Sequence, residues 1–168
     1  MYCRNYLQAV ERKDLNSPNL EAIWVQVKFP TADVLFAVIY RSELECPNFF
    51  EDAYSIFEKA WIKTDHIFLL GDLNCDLLSF SEIKPDVQNK ARKLLHLFDQ
   101  FDMHNIIDEP TRETPKTKTL IDLIVTTKPE LINIKGVTPL GISDHSLIYA
   151  TLKLRQKRPP PRNHHQEL

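Results

Sequence analysis

The chain has 168 residues, of which 43% are hydrophobic and 26% charged, and its formal net charge is -2. Such values are typical of globular domains, which argues against a disordered or fibrous protein and against a uniformly basic nucleic-acid coat. The cysteines, Cys3, Cys46 and Cys75, lack metal-site or disulfide-framework spacing, and no signal-type or membrane-spanning apolar run is present, so we expect an intracellular protein, cytoplasmic or nuclear.

Two adjacent strands are predicted in the first quarter of the chain. Residues 21–29 alternate with period two, the pattern of a half-buried strand. Its apolar face is predicted to hold Ile23, Val25, Val27 and Phe29, and the opposite face Trp24, Gln26 and Lys28. After a turn at 30–33, residues 34–40 (VLFAVIY) are apolar throughout, which predicts a strand covered on both faces and paired with the first.

Helices then alternate with strands. After Cys46 and Pro47, residues 49–61 carry apolar side chains at helical spacing, with acids in the first turn where the helix dipole favours them. Residues 67–70 predict a buried strand, and 91–101 predict a second amphipathic helix. This order is the α/β pattern.

The second half is predicted to be rich in short strands. Prolines separate candidate strands at 104–108, 120–126, 132–137 and 146–154. From residue 155 the sequence is basic and proline-rich without apolar periodicity. We therefore expect one domain over residues 1–154 and a tail or linker over 155–168.

The first candidate functional residues are Asp72 and Asn74, in the stretch GDLN that ends the strand at 67–70. Alternation along an extended chain would place both side chains on one side, and α/β sheets bind ligands at the carboxyl ends of strands. The alternative is a turn in which the Asp and Asn side chains bond their own backbone.

Two further acids, Asp144 and Asp122, are candidate site residues. Asp144 and His145 lie in a loop before the last strand, where a carboxylate suits a hard metal and an imidazole suits acid–base chemistry; the alternative is an ordinary turn. Asp122 lies in an apolar strand, where an ionised carboxylate is costly without a partner. A histidine is the natural partner, because a carboxylate fixes the tautomer of the ring; the alternative is an edge-strand acid facing water.

Four short motifs, taken together and in order, resemble the endonuclease/exonuclease/phosphatase superfamily. They are YR at 40–41, GDLN at 71–74, LIDLI at 120–124 and SDH at 143–145. The stretches SPNLEAIWVQV and TR to TLIDLIVT, with the basic proline-rich exit, are most similar to the endonuclease domain of non-LTR retrotransposons. The resemblance implies an α/β fold of the DNase type, a partial four-layer sandwich in which two packed mixed β-sheets are flanked by helices.

The resemblance also implies a metal-dependent phosphodiester hydrolase of the DNA endonuclease type. Asp72 would orient or deprotonate the attacking water, while Asn74 and Tyr40 would contact the phosphate. Asp122 would orient His145, which would contact a phosphate oxygen. Asp144 would help to bind Mg²⁺ or Mn²⁺, and Arg112 would bind the substrate. The partners would be the DNA backbone and, in a complete element, a C-terminal reverse transcriptase, with no membrane.

The family's domain opens with further strands that carry an asparagine and a metal-binding glutamate, and neither motif can be matched here. We therefore expect an N-terminally truncated domain, roughly its C-terminal two-thirds, with one metal-ligand segment missing and weak metal binding. The alternative functions are a catalytically dead remnant or a DNA-binding fragment. A phosphoinositide or sphingolipid phosphoesterase ranks below these, because no membrane-seeking amphipathic helix is visible.

Overall fold

The structure, a computed structural model, describes residues 1–42, 48–78 and 85–156 and, for 85–88, the backbone alone. Its strands are β1 (Gln8–Glu11), β2 (Glu21–Lys28), β3 (Asp33–Tyr40), β4 (Ile67–Asp72), β5 (His104–Asn105), β6 (Arg112–Glu113), β7 (Lys118–Thr119), β8 (Asp122–Thr126), β9 (Ile132–Pro139) and β10 (Ser146–Leu152). Its helices are α1 (Phe49–Trp61) and α2 (Pro85–Gln100), with short 3-10 turns at Lys13–Leu15 and Pro129–Leu131. Cys46 and Pro47, which precede the first predicted helix, lie outside the described residues. The predicted tail is also outside them from residue 157 onward.

Six strands form the main sheet in the order β1-β2-β3-β4-β8-β5. The predicted hairpin of β2 and β3 is confirmed, with antiparallel register and a turn closed by the Phe29 N–H on the Ala32 carbonyl at 2.9 Å. β3 and β4 run parallel because α1 connects them. β8 then pairs antiparallel with β4, so the end of β4 meets the start of β8.

Helix α1 packs on one face of this sheet. Its buried side chains recur at helical spacing, and the Phe57 ring meets the Trp24 ring of β2 edge to face at 5.4 Å between centroids. The predicted apolar face of β2 is confirmed only in part: Val25 and Val27 are buried, but Ile23 is 44% exposed, and Trp24 on the opposite face is 0% exposed. Both faces of β2 carry apolar side chains, and the position of the helix decides that Trp24 is buried.

The prediction that β3 is covered on both faces is confirmed only for the first half of the strand. Leu35, Ala37 and Ile39 are buried against the helices; on the opposite face Val34 is 0% exposed, but Val38 is 37% and Tyr40 46% exposed. Residues 1–7 cover part of that face and form an apolar groove with it.

A second sheet, of β9 and β10, lies on the other side of the main sheet. Val137, Ile148 and Ala150 pack from it against the core. The described residues thus supply helices, a six-stranded sheet and a two-stranded sheet, and the predicted α/β class is confirmed. β1 and the small β6–β7 hairpin were not predicted. Neither described helix has the length and apolar character that crossing a membrane requires.

Candidate active site

Two carboxylates face each other where β4 ends and β8 begins. Asp72 is the last residue of β4 and Asp122 the first of β8, and the antiparallel register makes them direct partners. Direct partners across a strand pair project from the same face of a sheet. The fold therefore brings together two acids that are 50 residues apart in the sequence numbering.

His145 completes this group. The loop before β10 is held beside β6 by an isolated bridge between Arg112 and His145. From there His145 Nδ1 lies 3.0 Å and 3.2 Å from the two carboxylate oxygens of Asp122. One ligating atom from each of Asp72, Asp122 and His145 lies within 4.8 Å of the others. We call these three residues the carboxylate–histidine cluster.

Gly71 explains how Asp72 reaches this position. Its φ of +148° is in the region that L side chains rarely adopt, and a Cβ there would lie 1.9 Å from the Ile39 carbonyl oxygen of β3. Glycine thus permits β3 and β4 to approach closely one residue before the catalytic candidate.

The residues after Asp72 form a tight turn. The Asn74 N–H donates to Asp72 Oδ1 at 2.9 Å, and Asn74 adopts a left-handed φ of 46°. Its side-chain Nδ2 donates to the Arg41 carbonyl at 2.7 Å. The turn that the sequence left as an alternative is therefore present, and strand alternation does not position Asn74 because β4 has already ended. The turn and the carboxylate–histidine cluster coexist.

Asp144 forms an ion pair with Arg112. Arg112 Nε donates to Asp144 Oδ2 at 2.7 Å, and the Asp144 carbonyl accepts the Glu113 N–H at 2.8 Å. This hydrogen bond from Arg112 is the main reason that the pKa of the Asp144 carboxyl lies below its ordinary value. Asp144 and Arg112 are thus adjacent to His145, but the group close enough to share one ion consists of the cluster residues.

The sequence comparison decides the family. A family model described as "Endonuclease-reverse transcriptase" matches residues 34–149, more than half of the chain. The chain belongs to this family. The predicted resemblance to the endonuclease/exonuclease/phosphatase superfamily, and within it to retrotransposon endonucleases, is confirmed. No curated protein sequence matches the chain.

Solved structures share the fold at low sequence identity. The endonuclease domain of TRAS1, a telomere-specific non-LTR retrotransposon, matches with a TM-score of 0.73 at 16% identity, over 91% of this chain and 72% of that one. The 3' phosphatase NExo from Neisseria, bound to a product DNA hairpin, matches with 0.58 at 16%, over 87% and 71%. The APE2 catalytic domain of Xenopus laevis matches with 0.58 at 16%, over 80% and 55%.

In this member of the endonuclease-reverse transcriptase family, the charges of the carboxylate–histidine cluster suit a cation. Burial raises the pKa of the Asp72 carboxyl, and the charge of Asp122 raises it further, while the hydrogen bond from the Asn74 N–H opposes both. Asp72 and Asp122, two neighbouring and partly buried carboxylates, provide hard oxygen ligands and a negative field. The donor set therefore fits a divalent metal ion.

Tyr40 stands at the same end of the sheet. It is the last residue of β3, and the N–H of the next residue, Arg41, donates to the Asp72 carbonyl at 2.9 Å. Its half-exposed side chain projects from the face opposite Ile39. Its predicted phosphate contact stays a prediction.

Buried polar residues that the sequence analysis did not single out hold the domain's site in place. The Thr111 hydroxyl accepts the N–H groups of Ile121 at 3.2 Å and Asp122 at 2.9 Å, and the Thr111 carbonyl accepts the Ser146 N–H at 2.7 Å. Thr111 therefore connects the start of β8 to the histidine loop. The only signal in the sequence was its place beside Arg112.

Asp76 also connects two segments next to the site. Its Oδ1 accepts the N–H groups of Leu78 at 3.0 Å and Leu120 at 2.9 Å, and it is buried. It thereby fastens the segment after the GDLN turn to the residues that lead into β8. An acid four residues after Asp72 was visible in the sequence, but nothing local indicated this long-range partner.

Proposed function

We propose that this domain is a metal-dependent DNA endonuclease that hydrolyses phosphodiester bonds. The proposal rests on the carboxylate–histidine cluster. Three separate segments assemble it where β4 ends and β8 begins, in a chain of the endonuclease-reverse transcriptase family. Hydrolysis of a phosphodiester requires an activated water and stabilisation of the charge that develops on the phosphate.

His145 would contact the phosphate through Nε2. Because Nδ1 lies against the Asp122 carboxylate, an ionised Asp122 assigns the Nδ1 proton and fixes the orientation of the ring. The other ring nitrogen is then available to a phosphate oxygen. Asp122 is in this sense a positioning residue for His145.

Asp72 would orient or deprotonate the attacking water. Its carboxylate is partly buried beside Asp122 and His145, where it would accept a hydrogen bond or a proton from that water. Asn74 and Tyr40, at the ends of adjacent segments, would contact the phosphate, and Arg112 would supply a positive charge to the substrate.

Asp72 and Asp122 would hold Mg²⁺, or Mn²⁺ in its place. Bound there, the ion would neutralise negative charge that develops on the phosphate. Mg²⁺ typically uses only one or two protein carboxylates and keeps several waters. Asp144 would join as a ligand when Arg112 turns from it to the substrate, since the two interactions compete for the same charge.

DNA is the substrate that we propose, in the cytoplasm or nucleus. NExo from Neisseria was solved with a product DNA hairpin, and the family description pairs the endonuclease with a reverse transcriptase. We propose that residues 1–154 form the nuclease domain and that the basic residues 155–168 link it to such a polymerase.

Nicking of supercoiled plasmid in Mg²⁺ or Mn²⁺ tests the proposal. We expect His145→Ala and Asp122→Asn to lower the nicking rate roughly 100-fold or more. The matched controls are His104→Ala and Asp102→Asn, because these residues form a surface His–Asp pair at 3.2 Å away from the cluster. The controls should nick like the wild type.

Other outcomes separate the alternatives. Equal nicking by His145→Ala and the wild type would attribute the activity to a contaminant. Salt-sensitive DNA binding without nicking would favour a catalytically dead or purely DNA-binding fragment. Release of inorganic phosphate from inositol phosphates, with DNA left intact, would favour a lipid-type phosphoesterase.

A further inference from the structure

Arg41 is a buried cation next to the turn that carries Asp72 and Asn74. It follows the last residue of β3 and is only 6% exposed. Burying a guanidinium is costly unless its charge and N–H groups are satisfied. The contacts that stabilise it therefore indicate what the residue does.

Those contacts are with the turn and with the first residues of α1. Arg41 Nη1 donates to the Leu73 carbonyl at 3.1 Å and to the Asn74 carbonyl at 3.2 Å. The guanidinium carbon lies 5.7 Å and 5.9 Å from the ring centroids of Phe49 and Phe50, within cation–π range. Two aromatic rings thus hold the guanidinium against two successive carbonyl groups of the turn.

The main chain of Arg41 binds the same turn. Its N–H donates to the Asp72 carbonyl at 2.9 Å, and its carbonyl accepts Asn74 Nδ2 at 2.7 Å. The carbonyl groups of three consecutive residues, 72 to 74, therefore all bind one arginine. Asn74 is in the left-handed region, which asparagine tolerates better than most non-glycine residues, and its side-chain bond to the Arg41 carbonyl holds it there.

We infer that Arg41 is a positioning residue of the active site: it fixes the turn after β4 and so keeps the Asp72 carboxylate opposite Asp122. The inference rests on the proposed function for its catalytic consequence. Arg41 does not need to touch the substrate. Its effect is on the geometry from which Asp72 and Asn74 act, where a displacement of about 1 Å costs roughly 100-fold in rate.

The test compares Arg41→Met, Arg41→Lys and the matched control Arg92→Met, which removes an exposed arginine on α2. We expect Arg41→Met to lower kcat for Mg²⁺-dependent nicking roughly 10- to 100-fold, with KM within about threefold of wild type. Arg41→Lys keeps the charge and N–H donors on a single nitrogen but loses the planar guanidinium, so it should recover part of kcat. Arg92→Met should not change kcat. Unchanged kcat per folded molecule in Arg41→Met, with only a lower Tm, would overturn the inference.

Amide hydrogen exchange gives a second readout that does not require activity. The Asn74 N–H is bonded to Asp72 Oδ1, so loosening of the turn should speed its exchange roughly tenfold or more in Arg41→Met. Exchange at the β8 amides and in Arg92→Met should stay at wild-type rates. An unchanged Asn74 rate would overturn the inference. Faster Asn74 exchange with a wild type that does not nick would support the positioning role and refute the proposed function alone.

Discussion

Gly71→Ala tests the close approach of β3 and β4 that positions Asp72. The added Cβ would lie 1.9 Å from the carbonyl oxygen and 2.9 Å from the carbonyl carbon of Ile39. These are backbone atoms of β3, so no side-chain rotation can relieve the clash. β3 and β4 would have to separate by about 1 Å, next to the hydrogen bond from the Arg41 N–H to the Asp72 carbonyl.

The expected cost has separate sources. Overpacking against a rigid neighbour costs about 1–3 kcal/mol, and a non-glycine residue at this φ costs about 1–3 kcal/mol. A weakened backbone hydrogen bond adds about 1 kcal/mol. We therefore expect the free energy of unfolding to fall by roughly 3–7 kcal/mol and Tm to fall by roughly 10–20 °C.

Urea denaturation of Gly71→Ala, Gly141→Ala and the wild type measures this effect. Gly141 is the matched control because its φ is +70° but its Cβ would meet nothing within 4 Å. It should cost only about 1 kcal/mol, from backbone strain alone. If Gly71→Ala is no more destabilising than Gly141→Ala, the close approach of β3 and β4 at the active site is refuted.

Thr111→Val removes the acceptor of two buried N–H groups at the start of β8 and should cost roughly 2–4 kcal/mol in urea denaturation, whereas Thr111→Ser should retain most of the stability; equal losses would contradict this. Asp72→Asn should stabilise the fold at pH 7 by less than about 1 kcal/mol, because burial raises the Asp72 pKa and its ionised form opposes folding, while partial solvent exposure screens the effect. That gain should vanish on acidification below the ordinary value of 3.8, where Asp72 is protonated in both states, and thermal denaturation from pH 7 to 3 checks the sign. Arg112→Met should raise the pKa of Asp144 in an NMR titration with little change in stability, because the pair is exposed; an unchanged pKa would refute the ion pair.

The sequence predicted the cluster through the cost of charge. Asp122 required a partner because its neighbours in the strand are apolar, a histidine was the expected partner, and the structure places His145 at 3.0 Å from it. The position of Asp72 followed from a buried strand that ends in GDLN. Both inferences use local residue patterns and the order of motifs along the chain.

Other features depend on long-range approach and left no local signal. The pairing of Arg112 with Asp144, and the three carbonyl groups bound by Arg41, arise from segments about 32 residues apart that no periodicity connects. The hairpin of β6 and β7 was missed because its strands have two residues each and no apolar alternation. The burial of Trp24 was missed because apolar residues occupy both faces of β2 and α1 covers the face with Trp24, while Val25 and Val27 are buried on the predicted face.

The proposed function requires that Asp72, Asp122 and His145 form one cation and phosphate site. Titration with Mn²⁺, followed by NMR of the histidine ring signals, tests this without requiring catalysis. We expect substoichiometric Mn²⁺ to broaden the His145 signals first and Asp72→Asn to prevent that broadening, while His66 and His104, which lie beside their own aspartates, respond only at higher concentration. Broadening of His66 or His104 at the same Mn²⁺ concentration as His145, or broadening of His145 that survives in Asp72→Asn, would contradict the claim.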